Sequence, residues 1–157
     1  MDLKRKLVLA VATGGYIGYI PAAPGTFGSV IGIALYWAVS FLRLPIILVF
    51  MALFAVFAVW IAHQAEALLD VADPKQVVID EIVGMMVALA ALPVSLLVWA
   101  AGFLLFRFFD ILKPFPIGYL EKRCPGGLGI VIDDVIAGFA ANILLHGLLL
   151  LFGAPFL

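Results

Sequence analysis

Five carboxylates stand at the mouths of apolar segments in a chain that is 66% hydrophobic: Asp80 and Glu81, Asp110, then Asp133 and Asp134. A charge at the centre of a bilayer costs roughly 2.5 to 3.5 kcal/mol on insertion scales, so acids in such surroundings are as a rule functional and partnered. Like charges 4 Å apart also repel by about 4 kcal/mol at an effective dielectric of 20. The 9 Lys and Arg residues cannot neutralise them all, because Lys4, Arg5, Lys6 and Arg43 are remote from these acids in sequence. A divalent cation answers both difficulties, and oxygen-only donors favour Mg²⁺, Mn²⁺ or Ca²⁺.

Other residues add anion-binding chemistry. Arg107, Asp110 and Lys113 recur at a spacing of three, which places them along one face of a helix end. Two cations flanking an acid suit a phosphate beside a metal, Arg by a two-pronged hydrogen bond and Lys as a point charge. The bland alternative is an internal pairing of Arg107 with Asp110. In Gly126-Gly127-Leu128-Gly129, a glycine-rich turn leads to Asp133 and Asp134 as an apolar helix opens, with one of the two acids a candidate N-cap. Asp134, Gly138 and Asn142 then share a stripe whose small residue permits close helix packing. Pro24-Gly25-Thr26, followed by Ser29, forms a turn before the first apolar run. Thr26 or Ser29 either caps that helix or helps its N-terminus hold an anionic headgroup. His63, one turn from Glu66, could shuttle a proton or act as a nucleophile. Cys124 is the single cysteine, which excludes an internal disulfide and a thiolate metal cluster. His146, deep in the last apolar run, reads as structural.

These residues must be positioned by membrane elements. Mean hydropathy of +1.26 with only 12% charged residues is too apolar for a soluble domain. We therefore expect an all-α integral membrane protein, a single domain over residues 1–157. No convincing cleavage site follows the basic start at Met1 to Lys6, so no removed signal is expected. Apolar runs at Phe27–Leu42, Ile46–Ala62, Val77–Leu92, Val94–Leu112 and Val135–Phe152 suggest about five transmembrane helices. The glycine-rich stretch Leu7–Ile20 reads as a re-entrant or interfacial segment.

As one uninterrupted helix, the run through Pro93 would hold Glu81 and Asp110 about 44 Å apart at 1.5 Å per residue. Pro93 disfavours helix at Leu92 and starts the next helix well, so a helical hairpin turning at Leu92–Ser95 is expected, returning both acids to one face. Alternation then puts Lys4, Arg5, Lys6, Lys75, Arg107, Lys113, Lys122 and Arg123 on the acidic side and only Arg43 opposite. That asymmetry makes the acidic face cytoplasmic. Net charge is near zero and no basic, aromatic-interleaved patch suggests nucleic acid.

In order along the chain, Pro24-Gly25-Thr26 with Gly28-Ser29, His63-Gln64, Asp80-Glu81 with Gly84-Met85, Arg107-Phe108-Phe109-Asp110 with Lys113-Pro114 and Pro116-Ile117, and Gly127-Leu128-Gly129 with Asp133-Asp134 and Ala137-Gly138 are present. This ordered set resembles the phosphatidylglycerophosphatase A family. The resemblance implies a multi-pass enzyme of the bacterial inner membrane, dependent on Mg²⁺. It would remove the terminal phosphate of the phospholipid phosphatidylglycerophosphate to leave phosphatidylglycerol.

Combining both lines, the expected site has Asp80, Glu81, Asp110, Asp133 and Asp134 holding one or two Mg²⁺ and supplying catalysis together with His63. Pro24, Gly25, Thr26, Ser29, Arg107 and Lys113 are expected at the substrate. Which acid acts as base or nucleophile is open at this stage. The rival readings are a cation-coupled small membrane transporter and a phosphatidyltransferase, the latter lacking its Asp-Gly and Ala-Arg signature here. No protein partner is called for, and homo-oligomerisation is left open.

Overall fold

The computed structural model describes residues 3–115, 117–121 and 123–152, so Met1, Pro116 and Lys122 of the sequence argument lie outside the described residues. Among the described residues all regular structure is helical: α1 (Leu3–Ala12), a 3-10 turn (Ile17–Tyr19), α2 (Pro24–Val39), α3 (Leu44–Leu69), α4 (Ile79–Leu89), α5 (Leu96–Leu112), α6 (Ile117–Glu121) and α7 (Gly127–Leu151).

Two of these helices, rather than five, are long and apolar enough to cross a bilayer: α3 with 26 residues and α7 with 25. The expected count is corrected by where the other runs stop and what they face. α2 has 16 residues and α5 has 17. α4 has only 11, and Ile82 through Leu89 are all buried. Its unbroken apolarity therefore serves a protein core, as suits a short run of that length. α3 is the opposite case. Leu53 and Val56 are 66% and 70% exposed, so its outer face presents bare hydrocarbon.

A turn between α4 and α5 is present. α4 already ends at Leu89, however, and α5 starts at Leu96 after its N-cap Ser95, so Pro93 lies within the connection and, contrary to expectation, does not start the second helix. Ala91 adopts φ 57°, a left-handed conformation unusual for alanine, and its N–H donates to the Tyr36 hydroxyl at 3.0 Å. Asn142 Nδ2 donates to the carbonyls of Ala88 and Ala90 at 3.1 and 2.9 Å, satisfying acceptors that the end of α4 leaves open. Replacing Asn142 by Ala is expected to cost about 1 to 3 kcal/mol by stranding those carbonyls. Thermal unfolding in detergent checks this, and an unchanged midpoint would mean that the carbonyls find other donors.

Glycines set how closely α4 is clasped. A Cβ on Gly138 of α7 would overlap the Gly84 carbonyl oxygen, and one on Gly84 would lie 2.6 Å from the Phe106 ring and 2.7 Å from the Asp134 carbonyl. From the other side, α2 brings Gly28 against Val78 and Gly32 against the Ile82 carbonyl, where a Cβ would stand 2.9 and 2.8 Å away. Small residues permit backbone-to-backbone approach of this kind. α4 is thus held between α2 and α7.

The segment expected to be re-entrant or interfacial is α1 followed by the 3-10 turn. Val8, Leu9 and Ala12 join a buried cluster with Ile61, Ala62 and Ala65 of α3, and Arg5 Nη2 reaches the Leu68 carbonyl at 3.3 Å. The Ala12 carbonyl accepts from the Val78 N–H at 2.9 Å, so this segment braces the entry to α4.

Two capping expectations are corrected. Ala23, at φ 50°, is the N-cap of α2 and Pro24 its first residue, while Ser29 Oγ donates inside the helix to the Gly25 carbonyl at 2.8 Å. Pro24 supplies a preset φ where no N–H is needed, so no hydroxyl cap is required. Asp133 and Asp134 do not open a helix either. α7 begins at Gly127, and both acids lie well inside it.

Candidate metal centre

The start of α4, the C-terminal part of α5 and the second turn of α7 bring the acids together. Asp80 and Glu81 occupy the first turn of α4, where the helix dipole favours negative charge. The Gly84–Gly138 crossing sets Asp133 and Asp134 of α7 beside them. α5 contributes Arg107 and, one turn on, Asp110 from its C-terminal part and is terminated by Lys113 at φ 42°. These seven residues line one cavity of about 270 Å³, together with Pro24 and Gly25.

Its floor is buried: Asp80, Asp133 and Asp134 are 9%, 5% and 2% exposed. Carboxylate oxygens of Asp80, Glu81 and Asp134 lie within 4.8 Å of one another. Three such charges repel by about 3.5 kcal/mol per pair at an effective dielectric of 20. Asp80 Oδ1, Glu81 Oε2 and Asp134 Oδ2 are buried and have no hydrogen-bond partner. Orphaned acceptors of this kind fit an oxygen-preferring divalent cation.

The cations on the walls are held by carboxylates. Arg107 Nη1 lies 2.6 Å from Asp110 Oδ2 and 4.0 Å from Glu81 Oε1, and Lys113 Nζ lies 2.6 Å from Asp133 Oδ2. The pairing of Arg107 with Asp110 is therefore present, and it fixes the guanidinium on the cavity wall. Gly25 has its own reason to be glycine. A Cβ there would overlap the Glu81 carboxylate and come 2.9 Å from Arg107 Nη1.

Not every expected residue joins this cavity. Thr26, the buried Ser29 and His63 are absent from its lining. His63 is 63% exposed at its side chain, 3.9 Å from Glu66, and abuts the start of α7, where a Cβ on Gly126 would come 2.7 Å from its Nδ1. That corner borders a second cavity of about 240 Å³, lined by Glu66, Cys124, Gly126 and others, which shares Asp73 and Asp133 with the first. Sequence reasoning passed over Asp73 and Lys75 as site residues, although both line the acidic cavity. The usable signal was Asp73-Pro74-Lys75, a charged turn placed shortly before Asp80.

An apolar helical bundle with buried carboxylates converging on basic side chains at one end defines a class: helical proteins built to hold a cation and an anion beside an apolar phase. Within that class, the chain belongs to the phosphatidylglycerophosphatase A family, whose model matches residues 10–149. Phosphatidylglycerophosphatase A of Haemophilus influenzae is 42% identical over 143 residues, covering 90% of this chain and 86% of that protein. Phosphatidylglycerophosphatase A of Escherichia coli is 38% identical over 132 residues, covering 83% and 76%. A Bacteroides thetaiotaomicron protein with the provisional name phosphatidylinositol-3-phosphatase is 38% identical over 147 residues, covering 88% and 91%. No solved structure matches the chain.

Proposed function

We propose that this protein is a phosphatidylglycerophosphatase of the bacterial inner membrane, hydrolysing the terminal phosphate of phosphatidylglycerophosphate with Mg²⁺ as cofactor. One observation carries the reading. Buried, unpartnered oxygens of Asp80, Glu81 and Asp134 converge beneath a cavity walled by Arg107 and Lys113, in a chain of this family.

Asp80, Glu81 and Asp134 would hold the cation, with Asp110 and Asp133 beside them. When bound, the ion supplies positive charge to the phosphate oxygens and acidifies a water. The chain's own part is positioning and proton transfer. Arg107, anchored by Asp110, and Lys113, anchored by Asp133, steady the phosphate oxygens. A neighbouring carboxylate would accept the proton of the attacking water as the new P–O bond forms and the bond to the glycerol oxygen breaks, and would return a proton to the departing glycerol oxygen, leaving the alcohol and inorganic phosphate. The buried floor limits competing water around the reacting atoms.

Membrane placement is supported by the bare outer face of α3, by the length of α7, and by the basic residues at the acidic end. On that reading the acidic end faces the cytoplasm. The lipid tails would find hydrocarbon between α2 and α5, where Val30, Ile33, Phe103 and Leu104 line an apolar groove.

The test is inorganic phosphate release from phosphatidylglycerophosphate in detergent micelles by purified protein, with Mg²⁺ and with excess chelator. A phosphatidylinositol monophosphate serves as the competing substrate suggested by the Bacteroides relative. Metal-dependent release, faster from phosphatidylglycerophosphate, is the expected result. Absence of release from both lipids by folded protein would discard the phosphatase reading and favour the cation-coupled transporter.

A further inference from the structure

The cations that the sequence puts on the phosphate are both committed to carboxylates: Arg107 to Asp110 and Lys113 to Asp133, each at 2.6 Å. A third cation, Lys75, lines the same cavity and is exposed at its mouth. Among the described residues it makes no ion pair and no side-chain hydrogen bond. Asp73, two residues earlier, is the nearest acid in the chain and also lines the cavity, but does not hold it.

The loop carrying Lys75 is braced. The Pro74 carbonyl accepts from the Val77 N–H at 2.8 Å, and the Val78 N–H is held by the Ala12 carbonyl at 2.9 Å. Gly18 lies so close to the Gln76 carbonyl that any Cβ there would overlap it. The backbone on either side of Lys75 is thus anchored by the N-terminal segment, and its exposed side chain rises from a fixed point on the rim of the cavity whose floor carries the carboxylates. With the monoester phosphate on that floor, the rest of the headgroup would pass this rim.

We propose that Lys75 is a specificity-determining residue, whose ammonium takes the second negative charge of a two-phosphate headgroup. Such a headgroup carries a phosphomonoester joined through a small polyol to the phosphodiester of a lipid. The cavity would then favour it over a lipid bearing a phosphomonoester alone. This assignment rests on the phosphatase reading above and names how that site chooses its lipid.

The experiment measures kcat and KM for phosphate release from phosphatidylglycerophosphate and from phosphatidic acid, at fixed surface concentration in mixed micelles. The variants are Lys75→Met, Lys75→Arg and, as a control for charge at the same end outside the cavity, Lys6→Met. An exposed ion pair is modest, so Lys75→Met should raise KM for phosphatidylglycerophosphate about three- to fivefold. The rise for phosphatidic acid should be within about twofold. Lys75→Arg should retain the wild-type preference, Lys6→Met should leave it unchanged, and added salt should narrow it in the wild type by screening. An equal rise in KM for both lipids, or none, overturns the assignment of Lys75 while the phosphatase reading stands. No release from either lipid by the wild type overturns both.

Discussion

Replacing Asp80 or Asp134 by Asn is expected to abolish turnover, by about a thousandfold or more, while making the protein harder to unfold in the absence of divalent cations. The two effects have one cause. A cation at a phosphoryl centre contributes several kcal/mol of transition-state stabilisation, and each 1.36 kcal/mol is about tenfold in rate. Without the cation, the same acids oppose folding, because three charges within 4.8 Å repel one another in a buried place. Asn keeps the shape and removes one charge, so the metal-free variant should unfold at a higher temperature than the wild type. Mg²⁺ should raise the unfolding temperature of the wild type and have little effect on either variant, since only a ligand that binds the folded state shifts the midpoint. Activity within tenfold of wild type in either variant would remove that acid from the site. A midpoint that falls without metal would show that the carboxylate is needed for packing.

The second large effect belongs to Gly138. Substitution by Ala places a methyl group in the Gly84 carbonyl, and backbone cannot swing aside as a side-chain tip can. Overpacking costs about 1 to 3 kcal/mol, occasionally more. We expect the upper end here, with loss of activity as Asp133 and Asp134 move away from Asp80 and Glu81. Gly147 supplies the internal control. It lies on the same helix with nothing within 4 Å of an added Cβ, so Gly147→Ala should be neutral or stabilising by up to about 1 kcal/mol through helix propensity. Unfolding midpoints and phosphate release for the pair, measured side by side, check the difference. Equal midpoints would mean that α4 and α7 can separate without penalty.

Much of the site was legible because its signal is chemical. Acids set in Val, Ile and Met have few explanations, and all five predicted carboxylates do line one cavity. The hairpin was legible for a local reason, since Pro93 acts on its immediate neighbours. The span count was not, because an apolar run reports that a segment avoids water and is silent on what replaces it. Residues 77–92 read as a lipid-crossing helix, yet α4 is wrapped by protein. Caps at Thr26, Ser29 and the Asp133–Asp134 pair misled because residue type marks an ability to cap and not where a helix starts. Lys75 was counted only as a charge for orientation, since its place at the cavity mouth depends on Ala12 and Gly18, more than fifty residues upstream.

The burial of α4 also bears on how the chain is made. At 11 residues and about 16 Å, this helix is too short to rest alone in a bilayer, and it carries two acids at one end. Its polypeptide leaves the ribosome well before Gly127–Leu151, the helix that covers its other flank and brings Asp133 and Asp134. The packing of α4 can therefore be completed only once α7 has been made. The final closure of the bundle and the completion of the acid cluster are then a single event.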